Sequence, residues 1–131
     1  MRKENKLTIK NKSEVVYLQL DQVLYFQADG NYCNVFFADG SVLNTLACQR
    51  AEIARMIQEQ VDEEYGRRFV LLGKSYLVNI NYVLRVQPGR LLLTFNVNRS
   101  GTLNKLCLKA SRQALSQFVS KVEEVVARGA K

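Results

Sequence analysis

Turn-forming residues recur about every ten positions through the first third of the chain, and no other feature narrows the possible folds as much. Residues 7–10 alternate between apolar and polar, Asn11, Lys12 and Ser13 turn the chain, and residues 15–20 resume β-type composition, which predicts a hairpin. Asp21 and Gln22 interrupt before residues 23–27; Asp29, Gly30 and Asn31 form a strong turn signal ahead of residues 32–37; Asp39 and Gly40 turn again into residues 41–46. Up to this point the chain reads as all β.

At Ala47 the period changes. Ala47, Ala51, Ala54, Ile57 and Val61 recur at steps of three or four, with Arg50, Glu52, Arg55 and Glu59 around the remainder, as in one amphipathic helix. Asn44 or Thr45 is the expected cap. The expected end is near Gln60, because Asp62, Glu63 and Glu64 would face the negative end of the helix dipole and are better left in solvent. Strand composition returns after Gly66 over residues 69–72, 76–80, 82–86 and 91–97, with Pro88 and Gly89 as a turn. Residues 98–101 turn again and residues 106–108 make a short strand. Ser111 then caps a final helix, expected to dock on the sheet, whose Leu115, Phe118 or Val119, Val122 and Val125 share one face. The fold expected from pattern is mainly β, with one internal amphipathic helix and a C-terminal helix.

The passage at residues 69–83, FVLLGKSYLVNINYV, is the most legible of the chain. Two apolar runs meet at Gly73, Lys74 and Ser75, which places a cation and a hydroxyl on an exposed corner suited to a phosphate; a solvated turn explains the same residues. Asn79 is expected to shape the local chain, since Asn side chains hydrogen-bond nearby backbone.

At 131 residues the chain has room for one domain burying roughly two thirds of its surface. No apolar run approaches the roughly 18 residues of a membrane span, and the charged start at Arg2, Lys3, Glu4 and Lys6 is unlike a signal peptide, so a cytoplasmic location is expected. Three widely spaced cysteines, Cys33, Cys48 and Cys107, read as small hydrophobes instead of a disulfide framework or zinc site. With no histidine the chain lacks the base of a Ser-His-Asp or Cys-His pair and the usual nitrogen ligand of zinc or iron. Gly73, Lys74 and Ser75 resemble only the tail of a P-loop, without its earlier glycine and followed by strand composition. Asp21, Asp29 and Asp39 are turn acids. No catalysis, cofactor or metal is expected.

Charge is unevenly distributed. Residues 1–65 carry seven Lys/Arg and ten Asp/Glu, whereas residues 66–112 carry nine Lys/Arg and no acid. That segment cannot neutralise itself and should project a positive field toward a polyanion, of which duplex DNA is the commonest; cations spread around a sheet for solubility would give the same count.

With these passages placed, residues 9–118 resemble the LytTR-type DNA-binding domain of bacterial response regulators. The likeness is carried by residues 23–32 (VLYFQADGNY), by Asp39 and Gly40, by residues 69–83 with Ser75, Tyr76, Leu77, Val78 and Asn79, and by Ala110, Ser111 and Arg112 before the last helix. Residues 1–8 would then be an N-terminal extension and residues 119–131 the end of the last helix and a tail. The resemblance implies an elongated, mainly antiparallel β fold, a transcription regulator of the two-component type, and double-stranded DNA held by loops instead of a recognition helix. Self-association on repeated sites and a separate sensor or receiver protein are further partners it implies.

Carried over by position, the contact loops fall on Asn31, Tyr32 and Asn34, on Arg68, Lys74 and Ser75, and on Ser111 and Arg112, with Lys109 as a further candidate contact. Arg112 has the fork that reads guanine, Lys74, Arg68 and Ser75 suit phosphate oxygens, and Asn31 and Asn34 suit either. Tyr32 also fits a packing role. Where the family often has F-x-R-I-H-R/K-S, this chain has Leu71 for the first cation and Gly73 for the histidine, so binding is expected to be weaker, to lean more on Lys105 and Lys109, or to read a different base at that point. Two other readings use the same residues: a single-stranded nucleic-acid binder stacking bases on Tyr32, Phe36 or Tyr76, although residues 32–37 match an RNP1 motif poorly, and a protein or anionic-surface module using the basic block alone.

Overall fold

The computed structural model describes residues 5–99 and 102–129. Strands β1 (Lys6–Lys10) and β2 (Val15–Gln19) form the expected antiparallel hairpin. Its turn is closed by Asn11, whose Oδ1 accepts from the amides of Ser13 at 2.8 Å and Glu14 at 3.0 Å. A single 3-10 turn, Leu20–Gln22, leads into β3 (Val23–Asp29), which pairs with β4 (Tyr32–Phe37), and β5 (Val42–Leu46) follows. Asp29 faces Tyr32, so the loop is two residues long, and Gly30 takes φ +62°, as the Gly-X form of a hairpin loop requires.

After the helices α1 (Arg50–Gln60) and α2 (Glu63–Gly66), strands β6 (Phe69–Leu72) and β7 (Tyr76–Asn79) complete a five-stranded antiparallel sheet in the order β5-β4-β3-β7-β6. A 3-10 turn at Ile80–Tyr82, strand β8 (Val83–Gln87), another 3-10 turn at Pro88–Arg90, and strands β9 (Leu92–Arg99) and β10 (Thr102–Lys109) build a three-stranded sheet in the order β10-β9-β8. Helix α3 (Arg112–Gly129) ends the fold. The mainly antiparallel β architecture, with an internal and a terminal helix, is therefore as the sequence predicts.

The five-stranded sheet is the middle layer, and alternation along its strands feeds two cores. On one face Phe26, Cys33, Val35, Phe69 and Leu77 pack with Leu7, Ile9 and Leu18 of the hairpin and Ile53 and Ile57 of α1. On the other, Leu24, Val70, Leu72 and Val78 pack with Leu93, Phe95 and Val97 of β9 and Leu115 and Phe118 of α3. A register shift between Val23 and Tyr25 resets the faces of β3, which is how Leu24 and Phe26, two apart, enter different cores. Tyr25 bridges to the second sheet, its ring stacked between Phe36 at 4.4 Å and Phe95 at 5.5 Å, and burial pushes its hydroxyl up to about 12.

Several local expectations are corrected. The internal helix starts at Arg50, not Ala47, and its N-cap is Gln49, not Asn44 or Thr45. Those two residues belong to β5: Thr45 sits at φ +55°, outside helical geometry, with its amide held by Asn34 Oδ1 at 3.0 Å. The helix ends at Gln60, as expected. The acids after it are exposed, but they also begin a second helix, α2, where Asp62 caps the Glu64 amide at 3.1 Å and the dipole favours them. Strand β10 is longer than residues 106–108. The turn expected at residues 98–101 falls partly on Ser100 and Gly101, outside the described residues, and of Lys105 only the backbone is described.

Asn79 ties the layers. Fully buried, it donates through Nδ2 to the carbonyls of Val23 at 2.9 Å and Leu20 at 3.4 Å, and accepts from the amide of Asn81 at 3.1 Å. Its chain-shaping role extends to a segment more than fifty residues away.

Candidate nucleic-acid interface

Three loops converge at one end of the five-stranded sheet because β3 and β7 are antiparallel neighbours, so that the end of β3 and the start of β7 lie together. The Ala28 amide donates to the Ser75 carbonyl at 2.7 Å, fastening the β3–β4 turn to the corner between β6 and β7. Gly73 makes that corner with φ +62°, and a Cβ placed on it would lie 3.6 Å from Ala114 Cβ, which brings the corner against the first turn of α3. There Ser111 caps the helix as predicted, its Oγ accepting from the Ala114 amide at 3.1 Å. The Ala110 amide donates to the Leu91 carbonyl at 3.2 Å, adding the β8–β9 turn with the exposed Arg90.

Most of the residues singled out by sequence meet here. Asn31, Tyr32, Lys74, Ser75, Lys109, Ser111 and Arg112 are exposed, and Asn34 is half-buried. Asn34 Oδ1 accepts from the Thr45 amide and Asn31 Oδ1 accepts from Gln49 Nε2 at 3.2 Å, so these bonds leave the NH2 donors of both side chains unused. Ser111 keeps its hydroxyl proton for donation, since its cap uses the oxygen. Among the described residues the ion pairs Arg55–Glu59 and Arg67–Glu63 lie on the helices, and none engages Lys74, Lys109 or Arg112. The arrangement is a convergent set of donors and cations, the chemistry that phosphate oxygens and base edges accept.

Arg68 is not among them. It precedes β6 at the opposite end, roughly 15 Å or more of strand from Lys74. Its guanidinium lies 4.7 Å from the centre of the Tyr65 ring, and its carbonyl accepts from the Ile80 amide at 2.8 Å. Sequence reasoning in turn missed Gln49 and Arg50 at the start of α1, where Arg50 Nε donates to the Lys74 carbonyl at 2.9 Å. With the helix start set three residues early, they read as part of its surface; the available signal was Glu52, which accepts from the Gln49 amide at 3.3 Å.

Cys33 and Cys48 are buried, and desolvation, reinforced for Cys33 by Cys48 and for Cys48 by the Glu52 carboxylate, pushes both thiols up to about 11, so they stay protonated at neutral pH. Among the described residues no three His, Cys, Asp or Glu side chains gather as a metal site, and no helix is long and apolar enough to cross a membrane.

The module is a layered antiparallel β fold that presents cations and amides on convergent loops, with no basic recognition helix among its described elements. The family profile of the LytTr DNA-binding domain matches residues 13–122, and the chain belongs to that family. A similar solved structure is the LytTr DNA-binding domain of a Bacillus cereus protein described as a methyl-accepting/DNA response regulator, at 12% identity and a TM-score of 0.55, covering 91% of this chain and 97% of that one. No curated protein matches.

Proposed function

We propose that this chain is a bacterial transcription regulator that binds duplex DNA sequence-specifically through the β3–β4 turn, the β6–β7 corner and the β10–α3 junction. The observation that carries the reading is the gathering of Lys74, Lys109 and Arg112, all exposed and without acidic partners among the described residues, beside the Asn31 and Asn34 amides at one end of the sheet. Membership of a DNA-binding family supports it.

In this reading Lys74, Ser75, Lys109 and Ser111 hold phosphates, Asn31 and Asn34 donate to phosphate or base acceptors, Tyr32 flanks them, and Arg112 reads a guanine edge. Arg68, at the far end of β6, stays outside the contact set. Two copies on repeated sites, and a sensor or receiver protein supplying the input, complete the regulatory unit in the cytoplasm. Selection of bound duplexes from a random library tests the proposal: a recurring motif is the expected result, and recovery of unselected sequences contradicts it.

A further inference from the structure

Arg50 enters the interface from outside the acid-free segment. It stands at the first position of α1, half-buried, beside an N-cap residue, Gln49, that is itself bonded to Asn31. Two consecutive residues, the N-cap and the first residue of α1, thereby hold two loops that lie far apart in sequence, the β3–β4 turn and the β6–β7 corner. The bond from Arg50 Nε to the Lys74 carbonyl, 2.9 Å, uses one of the five N–H donors of the guanidinium. Among the described residues its two terminal amino groups have no acceptor and no carboxylate pairs with it. The group is thus fixed on the backbone of the very residue whose side chain is placed to meet a phosphate.

Helix energetics do not account for an arginine there. A cation in the first turn opposes the positive end of the helix dipole. Interface electrostatics do account for it: Asp29 ends β3 and Glu52 lies in the first turn of α1, both exposed, and each would repel a phosphate brought to these loops. A guanidinium pinned between those elements offsets them and offers a bidentate fork to phosphate oxygens.

We infer that Arg50 is a further DNA-contact residue, a phosphate ligand whose direction is set by the Lys74 carbonyl. The inference rests on the DNA-binding reading above. Its test titrates the chain, Arg50→Ala and Arg50→Lys against a fluorescent mixed-sequence duplex of about 30 base pairs at a series of salt concentrations, with thermal unfolding of each protein alongside. Arg50→Ala should bind about fivefold more weakly near 0.15 M salt, and its plot of log affinity against log salt should be shallower by about one, the signature of one fewer neutralised phosphate. Arg50→Lys, which keeps the charge, should keep the slope. A purely structural residue would change the melting temperature and leave the slope alone. Binding by the unsubstituted chain with an unchanged slope in Arg50→Ala overturns the Arg50 assignment alone; no binding by any of the three overturns the DNA-binding reading and this inference with it.

Discussion

Arg112 and Lys74 differ in chemistry, and the proposed interface assigns them different roles on that ground. Arg112 begins α3, where its cation opposes the helix dipole and its planar fork matches the O6 and N7 of guanine. On a selected site Arg112→Ala should cost about 1 to 3 kcal/mol and relax selectivity, whereas Lys74→Ala should weaken selected and random duplexes alike. Competition titrations with both duplexes decide it, and equal losses for Arg112→Ala on both would remove it from base readout. Asn79 belongs to the core instead. Asn79→Ala takes the side-chain donor from the Val23 carbonyl and from the Leu20 carbonyl, which the Val23 amide also serves, and should lower stability by about 1 to 3 kcal/mol in denaturant unfolding. A loss under about 0.5 kcal/mol would mean that those carbonyls find other partners. That Asn79 shapes its own turn is legible from its side chain; that it also fastens β3 depends on tertiary pairing which no local pattern announces.

Elements differ in how far their local chemistry decides them. Hairpin turns are set by neighbours in sequence, so Asn11, Gly30 and Ser111 act as read, and most strand bounds fall within a residue or two of expectation. The start of α1 is different, because Asn34 Oδ1, eleven residues earlier, claims the Thr45 amide and holds that residue at φ +55°, moving the cap to Gln49. Arg68 shows the same limit for the site: the family resemblance, carried over by position, grouped it with Lys74 and Ser75, but four residues of extended strand place it at the opposite end. Helix α3 depends on its apolar face, which packs against β6 and β8, and Phe118, 1% exposed, is its largest side chain in the second core. Phe118→Ala should cost about 3 to 5 kcal/mol, measured by the same unfolding titration, and a value near 1 kcal/mol would mean α3 is dispensable to the second core. Burial also sets thiol reactivity along the strands. At neutral pH a thiol alkylator should modify the exposed Cys107 on β10 and spare Cys33 and Cys48, whose protonated forms persist up to about pH 11; rapid modification of all three would show that the first core opens readily.

Across the whole molecule the fold sorts charge that the sequence distributes in blocks. Acids cluster on the end of α1 and on α2, while the antiparallel pairing of β3 with β7 and the return of β10 into α3 bring Lys74, Lys109 and Arg112 to one end. The acid-free block was visible from composition, but the convergence of three separate loops was not, since it follows from strand order. Binding that depends on this convergence must release counterions as phosphates are neutralised, and a titration of duplex binding against salt measures that directly. If six or more phosphates are engaged, affinity should fall roughly a thousandfold between 50 and 200 mM salt. An affinity that stays flat across that range would contradict DNA binding through these loops.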